Sequence, residues 1–164
     1  MCTTPETATP FAPRPADKAD LEHGSEFAPK FDEHGLIPCI AQHAETGEIL
    51  MFAFMNDLSL AKTIETSQVH YWSRSRGKLW FKGESSGMTQ NVVQLLTDCD
   101  QDAIVARVTI GKSTSGGGVE ASCHVGYRNC FYRAIETGKP TSGPAQMAVV
   151  GDKVYDPAEV YGKS

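Results

Sequence analysis

The sequence has no apolar run approaching the roughly 20 residues needed to cross a bilayer. Its N-terminal stretch carries neither a hydrophobic signal core nor the acid-poor, arginine-rich character of a transit peptide. These absences point to a soluble, cytoplasmic protein with no membrane partner. Positive charge is also short: 15 Lys and Arg stand against 20 Asp and Glu, poor material for tracking the phosphates of a nucleic-acid polymer. Cysteine is sparse, at five in 164 residues. Without a secretory signal these read as reduced thiols or metal ligands rather than a disulfide framework. The glycine run Gly116-Gly117-Gly118 lacks the Gly-Lys-Ser/Thr ending of a phosphate-binding loop and reads as a hairpin tip.

What is present is concentrated in two short stretches. In Thr97-Asp98-Cys99-Asp100-Gln101-Asp102-Ala103, three carboxylates alternate around one thiol. If the chain is extended here, as its β-forming flanks suggest, Asp98, Asp100 and Asp102 project from one side and Cys99 from the other. Carboxylates suit hard cations such as Mg²⁺ or Ca²⁺, and thiolates suit Zn²⁺. A solvated acidic turn is the competing reading. An EF-hand is excluded, because Ala103 stands at its glycine position and Thr109 at its bidentate glutamate.

The second stretch, Ser122 to Cys130, supplies Cys123, His124 and Cys130. With Cys99 these make three thiols. Three cysteines plus a water describe a catalytic zinc site, and four ligands including His124 a structural one; spacing leaves both open, beside the plainer reading of buried small apolar residues. Cys39 sits in an apolar strand and reads as packing.

Along the chain, the proline-rich residues 1–30, which include Cys2 and His23, read as a disordered arm. A folded unit follows over 31–136, and a C-terminal extension, 137–164, docks on it. Ile37–Ala41 and Ile49–Met55 predict an antiparallel hairpin, the second strand buried. Asn56 is a predicted N-cap for a helix over Asp57–Thr66 that buries Leu58, Ala61 and Ile64. Val69–Ser73 and Leu79–Lys82 predict a second hairpin around Arg76-Gly77, and Asn91–Leu96 and Ala103–Ile110 two strands flanking the acidic segment. The predicted fold is α+β, a mainly antiparallel sheet with one or two helices.

The run His70-Tyr71-Trp72-Ser73-Arg74-Ser75-Arg76-Gly77-Lys78-Leu79-Trp80, then Lys82-Gly83 and Ser86-Gly87, then the two clusters and Phe131-Tyr132-Arg133, resembles the phosphoribosyl-AMP cyclohydrolases of histidine biosynthesis in motif order and spacing. The resemblance covers roughly Leu36 to Ile135 and is to the stand-alone form. It implies hydrolysis of the N1–C6 bond of the adenine ring of 1-(5-phosphoribosyl)-AMP by a zinc-activated water, giving the formimino aminoimidazole carboxamide ribonucleotide. It further implies an intertwined homodimer with one Zn²⁺ per subunit on Cys99, Cys123 and Cys130, Cys99 coming from the partner subunit, and Mg²⁺ on Asp98, Asp100 and Asp102.

A substrate with two phosphates gives the basic hairpin a purpose, since arginine forks hold phosphate oxygens bidentately. Arg74 and Arg76 are the phosphate-binding candidates, with Lys82 and Ser86 as further substrate contacts. His124 is the candidate general acid/base, against a purely orienting role beside the metal. The family more often has His at Phe81, Asn at Met88, Thr at Val125 and Ser at Asn129. Two competing functions remain in view. A zinc nucleoside or base deaminase would attack a similar carbon, but its His-x-Glu and Pro-Cys-x-x-Cys signature is absent. A non-enzymatic zinc-stabilised binding module would use the cysteines structurally.

Overall fold

Apolar residues at every second position make strands of two segments that lie side by side at the centre of the computed structural model, which describes residues 10–138 and 142–162. Before them come a short helix α1 (Lys18–His23) and a loop. Strand β1 (Ile37–His43) alternates buried and half-buried residues along its whole length. Its hairpin partner β2 (Ile49–Met55) is antiparallel to it. After α2 (Asp57–Thr66) and the hairpin β3 (His70–Ser73) and β4 (Lys78–Phe81) come β5 (Gln90–Thr97) and β6 (Ile104–Ile110). The main sheet has the order β2-β1-β6-β5. β6 pairs with β1 in parallel, a pairing that the intervening elements allow by providing a long crossover. All other strand pairs among the described residues are antiparallel, so the fold is α+β with mainly antiparallel sheets and three small helices. No described helix is long and apolar enough to cross a membrane.

One face of the sheet carries the core. Ile37, Cys39 and Ala41 of β1 and Ile104, Ala106 and Val108 of β6 meet Leu50, Met55, Leu60, Val69, Tyr71 and Met88. Each large aliphatic side chain removed from water here contributes about 1.5–3 kcal/mol. Cys39 is a packing residue, its thiol pushed up to about 12 by burial. Met88, where the family more often has Asn, is fully buried in this core.

Helix α2 starts where predicted. The Asn56 side chain accepts from the Ser59 N–H at 2.9 Å while the Ser59 hydroxyl accepts from the Asn56 N–H at 2.8 Å, a reciprocal cap. Its buried face differs from the one predicted: Ser59, Leu60 and Thr63 point inward, and Leu58 and Ile64 are exposed. The cap draws Ser59 in, and the Thr63 hydroxyl accepts the His70 N–H at 2.9 Å, which turns that side of the helix onto β3. Strand β2 is likewise less buried than predicted, with Ile49 and Phe52 exposed.

From residue 10 onward the N-terminal arm has a defined placement, unlike the disorder its composition suggests. Phe11 stacks edge-on to Phe27 at 5.8 Å and lies 5.9 Å from Phe31, and all three pack on the core. Residues 1–9, with Cys2, lie outside the described residues. At the other end, β7 (Arg133–Ile135) and β8 (Met147–Val149) form a small hairpin, and a final helix α3 (Pro157–Tyr161) follows.

Candidate active site

The acidic cluster is the tip of the β5–β6 hairpin. The chain turns there instead of continuing extended, so the carboxylates do not gather by strand alternation. Asp98 Oδ1 accepts the N–H groups of Asp102 at 3.0 Å and Ala103 at 3.2 Å, and the Gln101 N–H donates to the Asp98 carbonyl at 3.2 Å. Gln101 takes a left-handed conformation, φ +57°, to close the turn. One oxygen from each of Asp98, Asp100 and Asp102 thereby lies within 4.8 Å of the others. Burial works to raise the Asp98 carboxyl, but the backbone donors of Ala103 and Asp102 outweigh it and hold the group below its ordinary range.

Lys30 and Gln101 join this tip to the N-terminal arm. The Lys30 ammonium is 3.5 Å from Asp102 and 3.9 Å from Asp100. Buried Gln101 accepts the Ala28 N–H at 2.7 Å through its side chain and the Lys30 N–H at 2.7 Å through its carbonyl. Arg14 donates to the carbonyls of Ala28 at 2.7 Å and Asp100 at 3.0 Å. Cys99 is exposed on the same tip.

Cys130 borders a cleft of about 460 Å³ between β2, β4 and the Ser122–Cys130 loop, and Cys123 lies beside it in that loop. The Cys130 N–H donates to the Leu50 carbonyl at 2.8 Å, and the Ser122 N–H to the Arg128 carbonyl at 2.8 Å, which closes the loop on itself and on β2. Glu48 fastens it from outside, accepting from Arg128 Nε at 2.7 Å and Asn129 Nδ2 at 2.6 Å. Asn129, where the family more often has Ser, thus keeps a hydrogen-bonding part, and its Oδ1 also accepts the Phe131 N–H at 2.7 Å.

Cys123 and Cys130 are neighbours. Loss of solvent around Cys130, together with the Cys123 sulfur beside it, pushes its thiol up to about 12, and Lys82 acts in the opposite direction. Two adjacent sulfurs are donors of the kind that soft metals take. Lys82 is buried; desolvation lowers its pKa, and the sulfurs of Cys130 and Cys123 partly offset that. Among the described residues, however, the three aspartates are the only cluster of three or more metal-ligand side chains. One chain therefore brings Cys123 to Cys130 but does not bring Cys99 to them.

Arg76, Lys82, Ser86, His124 and Cys130 all line the cleft. Arg74 does not; its guanidinium lies over the Phe54 ring, 4.3 Å from the centroid. Phe81, where the family more often has His, stacks on His70 at 4.9 Å. Trp80, Ser122 and Tyr161 also line the cleft, and the sequence reading gave none of them a role in the site. The Asp156-Pro157 start of α3 was the available sign that a helix would deliver Tyr161. A larger opening, about 550 Å³, lies under the N-terminal arm, but neither lysine, arginine nor cysteine lines it. Its lining carries the carboxylates Asp20 and Glu26, which repel a phosphate.

Comparison with known proteins agrees with this picture. The family model for phosphoribosyl-AMP cyclohydrolase matches residues 51–132. A relative from Methanococcoides burtonii named phosphoribosyl-AMP cyclohydrolase is 57% identical over 132 residues, covering 80% of this chain and 94% of its own. One from Rhizobium rhizogenes with the same name is 49% identical over 150 residues, 90% of this chain and 93% of its own. A third, from Agrobacterium fabrum, is 44% identical over 156 residues, 94% and 98% respectively.

Proposed function

This chain belongs to the phosphoribosyl-AMP cyclohydrolase family, a family of hydrolases, and from that premise we propose that it opens the adenine ring of 1-(5-phosphoribosyl)-AMP in histidine biosynthesis with a zinc-activated water. The observation that carries the reading is the cleft itself, where His124 and Cys130 share one space with the cations Arg76 and Lys82. Water adds at C6, the N1–C6 bond breaks, C6 becomes the carbonyl carbon of the carboxamide, and a proton ends on the former N1.

Cys123 and Cys130, with Cys99 of the partner subunit, would hold zinc, and Asp98, Asp100 and Asp102 would hold Mg²⁺. When bound, zinc supplies Lewis acidity and lowers the pKa of water to about 7. Arg76 and Lys82 bind a phosphate and fix the nucleotide's orientation. Ser86 stands near them with its hydroxyl already accepting the Met88 N–H at 3.2 Å, which suits a residue that shapes the wall more than one that moves. His124, exposed to the cleft, takes the proton from the attacking water and returns it to the departing nitrogen. Its neighbour Cys123 is fixed from behind, because the Tyr155 hydroxyl donates to the Cys123 carbonyl at 2.6 Å.

The ligand arithmetic supports a homodimer. The separation of Cys99 from the other two sulfurs leaves a three-thiol site incomplete in one chain, and exposed Val93, Leu96, Phe131 and Met147 offer apolar surface for a second copy. The test is hydrolysis of phosphoribosyl-AMP by purified protein, with zinc-stripped and zinc-restored samples side by side. Turnover that disappears with zinc and returns with it, while the circular dichroism spectrum stays constant, is expected. Unfolding on chelation would favour the structural-zinc reading instead, and release of ammonia from adenosine or cytidine would favour a deaminase.

A further inference from the structure

The C-terminal segment lies outside the residues matched by the family model, yet it reaches the cleft. Tyr155 is buried, and besides donating to the Cys123 carbonyl it brings its own backbone against the same loop: the Val154 N–H donates to the Gly126 carbonyl at 2.8 Å. The contact is too close for a side chain at Gly126, whose Cβ would fall 2.6 Å from the Tyr155 carbonyl oxygen. An isolated bridge between Tyr127 and Lys153 continues the pairing. Beyond it, Asp156 caps α3 by accepting the Ala158 N–H at 2.9 Å, and Val160 packs on the core. The next residue, Tyr161, follows directly on these anchors and lines the cleft, with Trp80 also in its lining.

We infer that Tyr161 is a substrate-contacting residue of the cleft, presented by a strap that Tyr155 and Val160 fasten to the cysteine loop and the core. The inference rests on the reading of the cleft as the nucleotide site. A purine is a flat π-system that aromatic rings bind by stacking, and Tyr161 offers a ring whose position is set by two anchors and whose surface is almost half exposed, at 45%. No fold-forming burial depends on it.

The test is steady-state kinetics with phosphoribosyl-AMP on wild type, Tyr161→Phe, Tyr161→Leu and Tyr161→Ala, each loaded with zinc and checked for melting temperature. Losing a base–aromatic stack predicts a KM raised about tenfold in the Leu and Ala variants, with kcat within about twofold and an unchanged melting temperature. The Phe variant, which keeps the ring but loses the hydroxyl that meets Tyr155, should stay closer to wild type than the Leu and Ala variants. Tyr155→Phe, which removes the hydroxyl that meets both the Cys123 carbonyl and the Tyr161 side chain, should raise KM in the same direction by a smaller factor. A KM for Tyr161→Ala within twofold of wild type, or a fall in kcat with KM unchanged, overturns the inference. Failure of the wild type itself to turn over would instead remove the cyclohydrolase reading beneath it.

Discussion

Gln101 is the residue on which the acidic tip and the N-terminal arm both depend, and replacing it with alanine separates them. Its side chain accepts the Ala28 N–H at 2.7 Å and donates to the Leu21 carbonyl at 3.3 Å. Leaving the Ala28 donor buried and unpaired costs about 1–3 kcal/mol, and the longer, partly exposed bond adds about 0.5–1. A loss of about 2–3 kcal/mol local to the arm corresponds to an opening equilibrium about thirty- to 150-fold larger. Alanine retains the left-handed strain at φ +57°. Gln101→Gly makes the same hydrogen-bond losses but recovers about 1 kcal/mol of that strain, and should sit between alanine and wild type. Hydrogen exchange followed by mass spectrometry reads the effect directly: amides of residues 10–30 should exchange faster by that factor, and those of β1 and β6 should not change. Equal protection of the arm in wild type and Gln101→Ala would refute the reasoning. A glycine variant as damaged as the alanine one would refute the strain component alone.

Glu48 gives a pH dependence with a definite sign. Partial burial pushes its carboxyl up, but the hydrogen bonds from Asn129 and Arg128 and the charge of Arg128 prevail, so it titrates below its ordinary value of 4.5 in the folded protein. The stabilisation is complete above the ordinary carboxylate range and is lost as pH falls through the depressed folded value. The difference in melting temperature between wild type and Glu48→Gln should therefore shrink as pH drops below about 4.5; a constant gap from neutral to acid pH would contradict it. The proposed sharing of zinc ligands between subunits makes its own prediction. Cys99→Ser and Cys123→Ser proteins should each be inactive alone, whereas subunit exchange in an equal mixture should restore about a quarter of wild-type activity, since half the dimers are hybrids with one intact site each. Absence of recovery after verified subunit exchange would place all three sulfurs in one chain.

The parts legible in the sequence were those governed by local chemistry. The Asn56 cap fixed the start of α2 because one side chain and the N–H groups within a turn of it decide the matter. The hairpins β1–β2 and β3–β4 followed from alternation and turn residues. What failed needed longer-range information. Asp57–Thr66 carries apolar residues on more than one side, and the bond from His70 to Thr63, together with the cap at Ser59, selects the face that is buried. The arm's proline-rich composition argues for disorder, yet Phe11, Phe27 and Phe31 bury enough ring surface together to tether it. The parallel pairing of β1 with β6 joins segments with most of the sheet's chain between them, and no local pattern encodes it.

The acidic tip shows how a correct grouping can be reached through the wrong geometry. Strand alternation assigns the three aspartates to one side and Cys99 to the other, but these residues form a turn in which Asp98 accepts two backbone N–H groups and Gln101 adopts a left-handed conformation. Convergence of the carboxylates comes from that loop, and so does the exposure of Cys99. The distinction has consequences for substitution. If alternation held the group, the residue between Asp100 and Asp102 would matter only for its strand propensity. Because a loop holds it, Gln101 matters for its conformation and its hydrogen bonds, and the aspartates depend on an arm more than 70 residues earlier in the chain. The same holds in the cleft. Cys123 and Cys130 are seven residues apart in sequence, yet their mutual position is maintained by Glu48 on one side and Tyr155 on the other. The identity of the candidate ligands is written locally, while their geometry is supplied by distant segments whose own sequences give no hint of the site they support.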